Sequence, residues 1–135
     1  MSWVDTIAID PGLTIGVAIL DPDGGIVDSF TIDANDSKRC RLVLRALCAD
    51  GVCDRASFVV EKGPQFGRHN DALLTNIEDI LTASIPGAFL TWLAPGNWKH
   101  HPAARLTADE REGRTVHERD AIGMGRVHQT RNKGA

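Results

Sequence analysis

Four side chains have types and positions that suit catalysis: Asp10, Glu61, His117 and Asp120. Asp10 closes the apolar run Ile7-Ala8-Ile9 and precedes the turn Pro11-Gly12, and Glu61 closes the run Phe58-Val59-Val60. A carboxylate placed where a buried strand runs out is held rigidly, with its charge at the mouth of a crevice. His117 and Asp120 stand i, i+3 and share a face if residues 115–121 are helical. Glu118 then points away, about 200° around from Asp120 at ~100° per residue. Carboxylates brought side by side repel unless they share a proton or a cation lies between them. Hard oxygen donors with room for water and phosphate suit magnesium or manganese, and a neutral imidazole is a further ligand or a proton carrier.

That chemistry requires elements that bring the four together. Residues 3–10 read as a buried strand broken by Pro11-Gly12. Residues 13–20 resume as a second strand, in which Gly16 permits a close backbone approach. Asp21-Pro22-Asp23-Gly24-Gly25 is a strong turn signal, and residues 26–32 form a third strand, giving an antiparallel meander. Asp36 or Ser37 caps a helix to about Ala49, with Cys40, Leu44, Leu47 and Cys48 on one face and Gly51 as its stop. Residues 56–61 are the fourth strand, followed by the loop Gly63-Pro64-Gln65-Phe66-Gly67-Arg68. Asn70 or Asp71 caps a second helix to about Ala83, with Leu73, Ile77, Ile80 and Ser84 on one face. Residues 88–94 are the fifth strand. Residues 97–114 are weakly patterned, with a short helical piece near Trp98 and then a flexible segment. A last helix runs from about Thr115 to His128, where Ala121, Gly123 and Gly125 let it sit close to the sheet. Glycine costs about 1 kcal/mol relative to alanine inside a helix, so tight packing explains its use there.

The order β-β-β-α-β-α-β-α implies an α/β fold: a five-stranded mixed sheet, three strands antiparallel and two parallel, with helices on both faces. The simplest arrangement lays the strand of residues 56–61 parallel to that of residues 4–10. Asp10 and Glu61 then become neighbours about 5 Å apart, at the carboxyl ends of parallel strands where open α/β sheets put their sites.

With 135 residues the chain is sized for one domain, 1–135, whose last residues, 130–135, read as a flexible tail. The apolar fraction of 42% and charged fraction of 24% are those of an ordinary globular protein. No run approaches the ~18 apolar residues of a membrane span, and the N-terminus lacks a secretory design, so an intracellular, cytoplasmic location is expected. Cys40, Cys48 and Cys53 form no C-x-x-C pair, which argues for reduced, buried thiols rather than disulfides or zinc. The net charge of −3 does not advertise a nucleic-acid binder. Bases nevertheless outnumber acids from Trp98 onward, and one basic side can bind phosphate locally.

Ile7-Ala8-Ile9-Asp10-Pro11-Gly12-Leu13-Thr14-Ile15-Gly16-Val17-Ala18 resembles the first motif of RuvC-type Holliday-junction resolvases, within the RNase H-like superfamily. Phe58-Val59-Val60-Glu61 resembles the second acidic motif. His117-Glu118-Arg119-Asp120-Ala121 resembles the final helix motif, and Trp98-Lys99 resembles an element of phage-type members. The resemblance implies an RNase H-like fold and a homodimeric endonuclease that cuts four-way DNA junctions by paired, symmetric nicks. It implies two divalent ions, Mg2+ or Mn2+, held by Asp10, Glu61, His117 and Asp120. Asp10 would bridge both ions, Glu61 would hold one, and Asp120 with His117 the other. Lys99, Arg68, Arg105 and Arg114, joined by His100 and His101, are candidates for phosphate contacts, and Phe66 for a wedge into the junction. The chain is shorter than typical bacterial members and more acidic, and its compact length leans towards a phage-encoded protein.

Three other readings compete. One is an RNase H-like nuclease acting on RNA–DNA hybrids, RNA precursors or branched DNA in general. A second is the phosphate loop of sugar kinases and actin-like ATPases, which need two such domains where this chain has room for one. The third is a junction-binding module without catalysis.

Overall fold

A computed structural model of the chain describes residues 4–49, 56–61, 79–83, 85 and 87–133. Five strands, β1 (Thr6–Asp10), β2 (Thr14–Leu20), β3 (Ile26–Asp33), β4 (Ser57–Glu61) and β5 (Leu90–Leu93), form one sheet in the order β3-β2-β1-β4-β5. The first three are antiparallel neighbours, and β4 joins β1, and β5 joins β4, in parallel. This is the mixed sheet that the element order predicts.

Every residue of β1 is buried, because helices cover both faces of the sheet. Period-two alternation divides its side chains between two cores. Ile7 and Ile9 join Ile15, Val17, Phe58 and Val60 on one face, packed against Cys40 and Leu44 of helix α1 (Ser37–Ala49) and against Leu81 and Ile85. Ala8, Ala18, Leu20 and Val59 face the other way, against Ala121, Ile122, Met124 and Val127 of the last helix and against Leu93 and Trp98. Cys40 is a buried free thiol; Cys53 and the Cys48 side chain lie outside the described residues.

Turn chemistry fixes the meander. The Asp21 carboxylate accepts from the backbone N–H of Asp23 at 2.9 Å and of Gly25 at 2.8 Å. Gly24 takes a φ of +83° that a side chain would resist. Asp36 caps α1, its carboxylate accepting from the Arg39 N–H at 3.1 Å. The predicted second helix is helical over residues 79–83, and its earlier part lies outside the described residues.

Residues 97–114 depart from the flexible segment expected. Three-ten turns occupy Pro95–Asn97 and Pro102–Ala104, and the short helix α2 spans Ala108–Arg111. Turns of three or four residues have no hydrophobic period to detect. One local signal was nevertheless present: Thr107 and Glu110 form a reciprocal capping box, with bonds of 3.2 and 3.0 Å. Arg126 of the last helix then grips the Glu110 carboxylate with both terminal guanidinium nitrogens, and its Nε donates to the Gly24 carbonyl at 2.9 Å. The last helix, α3 (Val116–Lys133), runs five residues past the predicted end at His128. Its extra turn is tied down: Asn132 reaches the His128 ring at 3.1 Å and Arg131 donates to the Asn97 carbonyl at 2.7 Å. Among the described residues no helix is long and apolar enough to cross a membrane.

Candidate active site at the strand ends

The register β1–β4 aligns Ile9 with Val60, so the next residues, Asp10 and Glu61, end adjacent parallel strands at one edge. On the other side of β1, Asp10 pairs with Gly16 of β2. Gly16 is where α3 lands. A Cβ there would lie 2.1 Å from the His117 carbonyl oxygen and 2.5 Å from its carbon, far inside contact. The missing side chain therefore lets the first turn of α3 rest on the sheet directly beside Asp10. Further along, a Cβ on Gly125 would meet Leu20 at 2.7 Å and Ala8 at 3.1 Å, and one on Gly123 would meet the Ala104 carbonyl at 2.9 Å. The small residues of this helix serve the close approach that their cost in helix propensity implied.

The start of α3 is fixed by a second capping box. Thr115 accepts from the Glu118 N–H at 3.2 Å, and Glu118 accepts from the Thr115 N–H and hydroxyl at 2.9 Å each. Glu118 turns away from Asp10, as its helical angle required, and takes the Ser29 hydroxyl of β3 at 2.9 Å. Burial pulls its carboxyl upward, but the Thr115 and Ser29 bonds and the Arg114 charge hold it below the ordinary range. This tie across to β3 was not legible in the sequence, because Ser29 carries no local signal that it will face a helix 89 residues away.

His117 and Asp120 project towards the strand ends. His117 Nδ1 stands 3.8 Å from Asp10 Oδ2, with the imidazole 41% exposed and the Asp10 side chain 13% exposed. Burial, then the charges of Glu61 and Asp120, push the Asp10 carboxyl up to about 7, against the opposing pull of Lys99. Glu61 is also raised, by burial and by Asp120, with Lys99 and the Trp98 indole pulling it back. Asp120 is raised by burial, with Lys99 and His117 opposing. Three carboxylates thus share one partly dry edge, and Lys99 is the cation whose field reaches all of them.

The structure of T. thermophilus RuvC in complex with a Holliday junction substrate superposes on this chain with a TM-score of 0.63. The match covers 96% of this chain and 95% of that one at 15% sequence identity. No protein-family profile and no curated protein sequence matches the chain. The chain has an RNase H-like fold.

Among the described residues, no three His, Cys, Asp or Glu side chains are drawn together into a ready group of metal ligands. The donor set nevertheless suits a hard divalent cation: oxygen ligands, one imidazole, and carboxylates whose proton affinity is raised by burial and, for Asp10 and Glu61, by neighbouring carboxylates. Lys99 is exposed, with its Nζ 5.7 Å from the centre of the Trp98 ring. Arg105 and His100 are exposed. Arg114 is spoken for within the chain, donating to Ser29 Oγ at 3.0 Å and to the Glu110 carbonyl at 2.7 Å. His101 is likewise engaged as a cap, its Nδ1 accepting from the Ala103 N–H at 3.0 Å. Phe66 and Arg68 lie outside the described residues.

Proposed function

We propose that the chain is a divalent-cation-dependent endonuclease of branched DNA, with the four-way junction as its substrate. What supports this reading is the ending of two adjacent parallel strands in Asp10 and Glu61, with His117 3.8 Å from the buried Asp10 and the charges of Glu61 and Asp120 reaching it. The fold shared with a RuvC bound to a Holliday junction supports the choice of substrate.

In this reading Asp10, Glu61, Asp120 and His117 would hold two cations, Mg2+ or Mn2+. Bound there, such ions supply an activated water on one side of the scissile phosphate and stabilise the leaving 3′ oxygen on the other. The chain's own contributions are rigid placement and charge. The sheet edge fixes Asp10 and Glu61, and the Gly16 contact and Thr115–Glu118 cap fix the helix that carries His117 and Asp120. Lys99 offsets part of the carboxylate charge and is positioned to meet a phosphate. The exposed Arg105 would meet the flanking backbone, where contacts orient DNA without reading sequence; Arg114 acts indirectly, by holding Ser29 and the approach to α3. Paired, symmetric nicks require two such sites, so the acting form is a homodimer.

A labelled synthetic four-way junction, an RNA–DNA hybrid and a linear DNA duplex, each incubated with the protein and Mg2+, separate the readings. Two symmetric nicks in the junction, with the other substrates intact, support the proposal. Preferred cleavage of the hybrid would instead assign the site to RNA-directed hydrolysis.

A further inference from the structure

The indole of Trp98 is 3% exposed, yet its Nε1–H has no hydrogen-bond partner among the described residues. An N–H buried without an acceptor loses its water and gains nothing in exchange, and such a group in a native fold calls for an explanation. Its surroundings supply one. Leu93 is the register partner of Glu61. The chain then turns through Pro95–Asn97, where the Pro95 carbonyl accepts from the N–H of Trp98 at 3.2 Å and of Lys99 at 3.1 Å. The turn returns the ring to the cluster that holds Leu93 and Val59, beside the end of β4, and the indole is close enough to oppose the rise in the Glu61 carboxyl without a formed hydrogen bond. Lys99 lies over the same ring. One side chain therefore adjoins both a carboxylate of the site and its resident cation.

We propose that Trp98 is a positioning residue: its indole N–H completes a hydrogen bond to Glu61 when a divalent cation draws that carboxylate into place, while its ring face keeps Lys99 over the site. A carboxylate has two oxygens and several acceptor positions, so one oxygen can face the cation and the other the indole. The inference rests on the cation-dependent reading of the site. Partners that orient a metal ligand in this way commonly change metal affinity by about 10–100-fold when removed.

The test is Mn2+ binding, by electron paramagnetic resonance, to the wild type, Trp98→Phe, Glu61→Gln and the double variant. Phenylalanine keeps one aromatic ring but loses the pyrrole portion with its N–H, and circular dichroism checks the fold. Trp98→Phe is expected to weaken Mn2+ binding about 10-fold and to have no further effect once Glu61 is Gln. A ring that merely fills space would give the same loss in both backgrounds, and that result overturns the proposal. The emission of Trp98, read in a Trp3→Phe/Trp92→Phe protein, gives a second readout that leaves the site intact. It is expected to shift as Mg2+ is added and to stay still in the Glu61→Gln protein; an emission indifferent to Mg2+ in both overturns the proposal. Wild-type protein that binds no Mn2+ defeats the nuclease reading together with this one, whereas wild-type binding and cleavage with a neutral Trp98→Phe defeats this one alone.

Discussion

Replacing Asp10 by Asn is expected to make the cation-free protein more stable, and the gain follows from the electrostatics of the strand ends. The Asp10 carboxyl, ordinarily at 3.8, sits at about 7 in the fold. The folded state therefore holds a proton that the unfolded chain has released between those values, and stability falls as pH rises through that window. Below about 3.8 both states are protonated and no difference arises; above about 7 the full penalty applies. At 1.36 kcal/mol per pH step the penalty is at most about 4 kcal/mol. A buried carboxamide still costs about 1 kcal/mol to desolvate, leaving a gain of about 3 kcal/mol at pH 8. For a chain of this length, at about 2.1 cal/mol/K per residue, that is a rise in Tm of about 10 °C. Urea and thermal unfolding in EDTA at pH 4 and pH 8 measure it. The expected pattern is near-equality at pH 4 and a more stable Asn protein at pH 8. An Asp10→Asn protein that is equally or less stable at pH 8 would show that the carboxylate is not strained by its neighbours, and the reasoning would fail.

Mg2+ or Mn2+ should raise the Tm of the wild type at pH 8, less so at pH 5, and should leave Asp10→Asn nearly unmoved, since binding must displace the proton that Asp10 holds up to about 7; differential scanning calorimetry reads this directly. Gly16→Ala forces a Cβ to 2.1 Å from the His117 carbonyl oxygen, so it should destabilise the fold by about 2 kcal/mol and abolish Mn2+ binding even where circular dichroism reports a folded chain. Glu110→Gln removes the carboxylate that Arg126 grips, whose bonds hold Glu110 at about 2 against an ordinary 4.5. Because the pair is partly exposed, its loss should cost only about 1–2 kcal/mol at pH 7. The cost should shrink as acid protonates the wild-type carboxyl from about 4.5 down to about 2, as urea titrations at pH 7 and pH 3 would report.

The sheet was legible because each of its strands carries its own signal. The apolar runs of β1 and β2, the Asp21–Gly25 turn and the break at Pro11-Gly12 are local, and a parallel crossover leaves few places for β4. Asp10 and Glu61 followed from that topology, and His117 and Asp120 from helical spacing alone. What escaped the sequence reading depends on contacts between distant segments. Thr107 and Glu110 spell a capping box, but the helix it starts is one turn long and acquires its weight only through Arg126. Arg114 reads as a free base until Ser29 and the Glu110 carbonyl are placed around it. Trp98 reads only as half of the Trp98-Lys99 element, and the fold alone reveals a buried N–H lacking a partner among the described residues. Gly16 was read as a close approach, yet nothing local told that the neighbour would be the helix carrying the site.

The central claim is that these converging side chains cut junction DNA by holding cations. Incubating a labelled four-way junction with the wild type and with Asp10→Asn, with and without Mg2+, tests it most directly. The account predicts Mg2+-dependent paired nicks by the wild type, and an Asp10→Asn protein that still binds the junction but leaves it whole. Cleavage by the Asn protein at the wild-type rate, or intact junctions in every arm, would contradict it.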